Sequence, residues 1–183
     1  MPRIQHIDYA TSPPEVRAEH DRVLAEHGRV TNMKRTLMRS LPAFLALDQW
    51  YPLHDAVEPF LGERLTNLFT HAISSETDCL ICSTFFRRLL IDAGENPDDF
   101  TMDDRERVVI DYGRALAQRG ARVPDELHRQ LAALFSEEQL VALTAFGAMM
   151  VATNTFNNAL EVDLDQYLEG YRKPAAARSG DAS

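Results

Sequence analysis

The sequence is poor in cysteine, in basic charge and in long apolar runs. Two cysteines in 183 residues exclude a disulfide-stapled scaffold. The 19 basic residues are outnumbered by 28 acidic ones, a net charge of −9. That sign argues against nucleic acid or an anionic membrane surface as a partner. No stretch reaches the ~20 apolar residues of a membrane span. The longest apolar run, Leu140 to Ala152, is interrupted by Thr144 and Gly147. The first residues, Met1-Pro2-Arg3-Ile4-Gln5-His6, lack the apolar core of a signal peptide, so a cytoplasmic location is the expectation. Strand-like alternation and internal repeats are also missing.

What remains is a helical pattern. Hydrophobic residues make up 45% and charged residues 26%, normal for one globular domain. Residues 1–12 read as an extended arm, residues 13–172 as an all-α domain and residues 173–183 as a frayed tail. Within the domain, Pro13-Pro14 opens a helix to His27. A second helix is expected over Thr31–Leu41, stopped by Pro42, and a third over Ala43–Val57, kinked at Pro52. Leu65, Leu68, Phe69, Ala72 and Ile73 give one apolar face to a helix over Leu61–Ser74. The next runs from Cys79 to Ala93 and stops at Gly94, with Thr77 or Asp78 as its cap. Helices follow over Asp103–Gln118, Pro124–Phe135 and Ser136–Leu160, the last opened by a capping-box pattern at Ser136 and Gln139. A short helix over Asp163–Tyr171 closes the domain. Leu140–Ala152 is apolar nearly all round, which predicts a central buried helix or a subunit interface.

The chemistry-bearing feature is Cys79-Leu80-Ile81-Cys82. A bridge between these cysteines closes too small a loop to stabilise a fold much. The pair therefore reads as redox chemistry, as half a metal site, or as two packed thiols. Cys79 falls in the first turn of its helix, where free N–H groups and the helix dipole favour the thiolate. Cys82 lies one turn on, on the same side, so a disulfide forms with little backbone movement. Glu76 and Asp78 oppose thiolate formation. Zinc needs four ligands at set spacing, and His54, His71 and His128 are scattered, so no metal and no cofactor are expected.

The stretch Leu61 to Ile73 leading into Cys79-Leu80-Ile81-Cys82 and a helix ended by Gly94, with Asn154-Thr155-Phe156-Asn157-Asn158-Ala159-Leu160-Glu161-Val162 near the C-terminus, resembles the alkylhydroperoxidase D-like (AhpD-like) family of the carboxymuconolactone decarboxylase superfamily. The resemblance covers residues 43–162. It implies an all-α AhpD-like helical bundle that assembles as a dimer, trimer or hexamer. It also implies a hydroperoxide-reducing CxxC, re-reduced by a thioredoxin-like or lipoyl-carrying protein, in which the second cysteine attacks peroxide and the first resolves. The family's proton relay is a glutamate and two histidines. Those positions fall here on Asn67, Ile81 and Phe86, none of which serves as a general acid or base.

Two residues near the pair are candidates to replace that relay. His71 lies one turn after Asn67 on the same helix and titrates near neutrality. Glu76 lies close to the helix start. The candidate catalytic set is thus Cys79, Cys82, His71 and Glu76. Phe85, Phe86, Trp50, Tyr51 and Met150 are expected as packing, and Asn154, Asn157 and Asn158 as an interface cluster first and site groups second. The leading functional expectation is a thiol-dependent oxidoreductase acting on a hydroperoxide or a protein disulfide. The alternatives are a non-redox decarboxylase-like lyase and a non-catalytic oligomeric module.

Overall fold

A computed structural model describes residues 2–173; the tail expected over 173–183 lies almost wholly outside the described residues. Those residues form helices α1 (Pro14–His27), α2 (Asn32–Leu37), α3 (Leu41–Asp48), α4 (Trp50–Leu61), α5 (Glu63–Glu76), α6 (Leu80–Asp92), α7 (Asp104–Ala117), α8 (Asp125–Leu134) and α9 (Glu137–Leu160). Short 3-10 turns at Tyr9–Thr11 and Gln166–Tyr171 flank them, and no strand is present among the described residues.

Helix α5 is central, packed against α4, α6, α7 and α9. Its apolar face holds Leu65, Leu68, Phe69, Ala72 and Ile73, as its periodicity predicts. Thr66, Asn67, Thr70 and Ser74 are buried as well, so the helix is covered nearly all round. The hydroxyls escape a desolvation penalty by donating one turn back, Thr66 to Gly62, Thr70 to Thr66 and Ser74 to Thr70, at 2.8–2.9 Å. Glycines set the spacing on the other side. A Cβ at Gly147 would lie 3.1 Å from Phe69 of α5 and 2.5 Å from the side-chain tip of Leu116 on α7, so the missing side chain lets α9 pack closely on both helices.

Several expectations shift. Pro42 does not stop a helix; it sits in the first turn of α3, where its missing N–H is no loss. The expected kink at Pro52 is a break at Gln49 instead, with Pro52 in the first turn of α4. The last element is a 3-10 turn rather than an α-helix. The N-terminal arm is anchored, with Arg3 N–H donating to the Leu160 carbonyl at 3.0 Å and Ile7 N–H to that of Arg35 at 3.2 Å. Helix α9 is not buried all round. Leu143, Phe146, Gly147 and Met150 face inward, whereas Val141 is 70% exposed. By length and composition α9 is also long and apolar enough to cross a membrane.

Two apolar layers result. The main core surrounds α5, and a smaller cluster of Val16, Val23, Leu37, Met38 and Phe44 covers one side of it. The functional geometry lies at the seam between them.

Candidate active site

The site begins with the turn between α5 and α6. Asp78 takes a left-handed backbone, φ 51°, which ends α5 and swings the chain into α6. Thr77 does not cap α6; its Oγ1 donates back to the Ile73 carbonyl at 3.0 Å. The N-cap is Cys79 itself, with extended φ and ψ. Its sulfur therefore occupies the place where a serine or aspartate oxygen ordinarily meets the free N–H groups. Neither N–H closes a full cap hydrogen bond, but those of Cys82 and Ile81 favour a negative charge on that sulfur.

The two cysteines are free, buried thiols, and the same Asn157 amide reaches both sulfurs. Their pair loses a first proton readily. The Cys79 thiol is pulled down to about 7, first by the Cys82 thiol and against burial, with the backbone N–H groups and Asn157 assisting. The Cys82 thiol is pushed up, because it donates to Cys79 and is buried. The charge thus rests by preference on Cys79, with one proton shared between the sulfurs. Access is opposite: Cys79 is 0% exposed, and Cys82 lines a cavity.

Asn157, on α9, ties the site together. Its Nδ2 donates to Cys82 Sγ at 3.3 Å and to Met33 Sδ at 3.4 Å, and reaches Cys79 Sγ at 3.9 Å. Its Oδ1 is buried without a partner among the described residues. A half-turn of the amide would present that oxygen to an S–H, so one side chain can serve both thiol and thiolate. Asn154 is fixed by Ser74 and Thr77, at 3.4 and 2.8 Å, and Asn158 by the Thr77 carbonyl at 2.9 Å. The amide cluster thus clamps α9 onto the turn that presents the cysteines.

The cavity has a volume of about 160 Å³. Its floor is Ile81, Cys82, Phe85 and Phe86 of α6, with Met150 and Thr153 of α9. Its walls are Met33, Lys34 and Leu37 of α2, Phe44 and Asp48 of α3, Trp50 and Tyr51 of α4, and Tyr167 and Leu168 of the last turn. Trp50 is oriented by its Nε1–H, which donates to Met150 Sδ at 2.8 Å. Amid these apolar groups Lys34 is buried, donating from Nζ to Tyr51 Oη at 2.8 Å. Burial pushes Lys34 down to about 8, against the pull of Asp48, and pushes Tyr51 up to about 12.

His71 is elsewhere. It lines a second, polar cleft of about 330 Å³ with Ser75, Asp78, Ser83, Arg87 and Asp98. Burial, and then Arg87, push it down to about 4. Glu76 is exposed at the end of α5, where its carboxylate accepts from Gln118 at 3.4 Å. Among the described residues neither one hydrogen-bonds to a sulfur, and neither lines the cavity beside Cys82. Asn67 is buried away from that cavity as well. Lys34 carried no signal in the sequence, whereas Asn157 stood out as one of three asparagines on a mostly apolar helix.

A helical bundle presenting a dithiol at the start of one helix, open to an internal cavity, defines the structural class. No protein-family profile and no curated protein matches the sequence. Solved structures do match. The debrominase Bmp8 in its apo form shares 17% identity at a TM-score of 0.74, covering 92% of this chain and 95% of that one. A Cys-to-Ala variant of Bmp8 in complex with 2,3,4-tribromopyrrole gives 17% and 0.75, over 92% and 94%. An alkylhydroperoxidase AhpD core, an uncharacterized peroxidase-related protein from Ralstonia eutropha JMP134, gives 19% and 0.73, over 91% and 94%. The chain has the AhpD-like helical fold.

Proposed function

We propose that this protein is a thiol-dependent oxidoreductase in which Cys82 attacks a small organic substrate held in the cavity and Cys79 resolves the product. One observation carries the reading: of the two neighbouring sulfurs, the one lining the cavity is Cys82, while Cys79 is sealed behind it. A protein disulfide is disfavoured as substrate, because Cys82 is only 7% exposed and faces inward.

With a hydroperoxide, the shared proton passes to Cys79 and the Cys82 thiolate attacks the terminal peroxide oxygen. The O–O bond breaks, the alkoxide takes the proton held by Cys79 and leaves as alcohol, and Cys82 becomes a sulfenic acid. The Cys79 thiolate then attacks Cys82 Sγ, the S–O bond breaks, and hydroxide leaves as water after gaining a proton. The sum is one hydroperoxide and two thiols giving alcohol, water and a disulfide. A lipoyl-carrying reductant, whose dithiol sits on a long slender arm able to enter the cavity where a thioredoxin-like protein surface is not, returns two electrons and two protons. The protons missing from Asn67, Ile81 and Phe86 are supplied by Lys34 and Tyr51, whose exchangeable groups lie in the cavity.

The ring-sized, aromatic-walled cavity favours one second reading, reduction of a halogenated aromatic. The halogen would pass from ring carbon to Cys82, the carbon would take a proton, and Cys79 would expel halide to form the same disulfide. Thiol titration separates these readings from an inert fold. One equivalent of tert-butyl or cumene hydroperoxide consumes two thiols per chain, and a bromophenol in its place does so only with release of bromide. Retention of both thiols with either class of compound sinks the oxidoreductase reading.

A further inference from the structure

We infer that the cavity recognises a singly charged, single-ring aromatic acid, such as a phenol bound as its phenolate, with Lys34 holding the anionic oxygen above Cys82. The inference takes the cavity to be the substrate site proposed above and adds the chemical class of what fills it.

The argument starts from an unbalanced charge. Lys34 is 6% exposed, and its ammonium has one hydrogen-bond partner among the described residues, the neutral hydroxyl of Tyr51. An ammonium has three donors, so two are left unsatisfied. The carboxylate acting on it most strongly, Asp48, is already held by Arg22 at 2.6 Å and forms no ion pair with Lys34. A buried ammonium short of hydrogen-bond acceptors is costly, and here it lines an apolar cavity, eased among the described residues only by Asp48 without an ion pair and by the Tyr51 ring at 4.5 Å. A ligand oxygen bearing negative charge would supply the missing partner.

The rest of the wall narrows the class. Trp50, Tyr51, Phe85, Phe86 and Tyr167 surround the space, which suits an aromatic ring. The volume of about 160 Å³ compares with the dry cavity of about 150 Å³ that holds one benzene. Two carboxylates also border it, Asp48 and Asp165, and one oxygen of each is buried without a partner among the described residues. They would repel a doubly charged phosphate or dicarboxylate more strongly than a singly charged phenolate, whose one charge matches that of Lys34.

Trp50 is the sole tryptophan and stands in the wall, so its fluorescence reports occupancy. The test is a titration of the reduced protein with para-nitrophenol and with nitrobenzene, its neutral counterpart, repeated on Lys34→Met. The wild type is expected to bind para-nitrophenol about tenfold or more tighter than nitrobenzene, with the bound dye showing its phenolate band, and Lys34→Met to erase that preference while still binding nitrobenzene. Equal affinity for the two probes in the wild type overturns the inference without any need for the variant, as does a preference that survives in Lys34→Met. Binding here needs no turnover. Inert thiols alongside a Lys34-dependent preference would refute the redox reading and leave this one standing; reactive thiols without the preference would do the reverse.

Discussion

Helix α6 has two faces with a cavity on each, and they differ in what they offer. One face presents Ile81, Cys82, Phe85 and Phe86 to an apolar space holding a buried lysine. The other presents Leu80, Ser83, Thr84 and Arg87 to a polar cleft holding a half-buried histidine. Residues three and four apart share a helix face, so positions 81, 82, 85 and 86 fall on one side and 80, 83, 84 and 87 on the other, and a single helix separates the thiol chemistry from the imidazole. Each side carries one basic group that burial forces toward neutrality, yet only Lys34 shares a cavity with a sulfur. Proximity in sequence, which made His71 a candidate, is a poor guide across a helix.

The contrast can be tested through the two basic groups. The largest effect is expected at acid pH. His71 is pushed down to about 4 from 6.5, so between those values the unfolded chain binds a proton that the folded chain does not. Stability therefore falls as pH drops from 6.5 through 4, by about 2–3 kcal/mol from this group. In denaturant titrations against pH, His71→Gln is expected to flatten that limb; an unchanged limb would mean that the histidine is freely solvated.

Lys34 acts at the other end of the scale. It is pushed down to about 8 from 10.5, so its burden is full below 8 and is relieved as pH rises to 10.5. Lys34→Met is expected to be more stable than the wild type by about 2 kcal/mol at neutral pH, with the gap closing by pH 10.5. A destabilised variant would mean that the ammonium is satisfied in the free protein. The smallest effect is expected for His71→Gln on thiol oxidation, a change within about threefold, because the imidazole lies on the wrong face to relay a proton. A larger loss, measured by stopped-flow thiol consumption, would bring the two faces back together.

Much of the architecture is legible from local rules. The apolar period of α5, the capping boxes at Asp103 with Glu106 and at Ser136 with Gln139, and the CxxC at a helix start all follow from near neighbours in sequence. The cavity does not, because its lining comes from five helices and the last turn. Lys34 reads as a surface lysine on a short polar helix until α4 and the C-terminal turn are laid over it. Trp50 and Tyr51 read as packing because the space they border has no sequence signature. The left-handed turn at Asp78 is equally silent, yet it makes Cys79 the cap and sets which sulfur is sealed.

The central claim is that access, rather than intrinsic acidity, selects the attacking sulfur. It is tested most directly by treating Cys79→Ser and Cys82→Ser with one equivalent of cumene hydroperoxide beside a sulfenic-acid trap, and mapping the adduct by mass spectrometry. The account predicts a trapped adduct at Cys82 in Cys79→Ser and an unmodified Cys79 in Cys82→Ser. An adduct at Cys79 in Cys82→Ser, with none at Cys82 in Cys79→Ser, would contradict it and assign the attack to the sulfur at the helix cap.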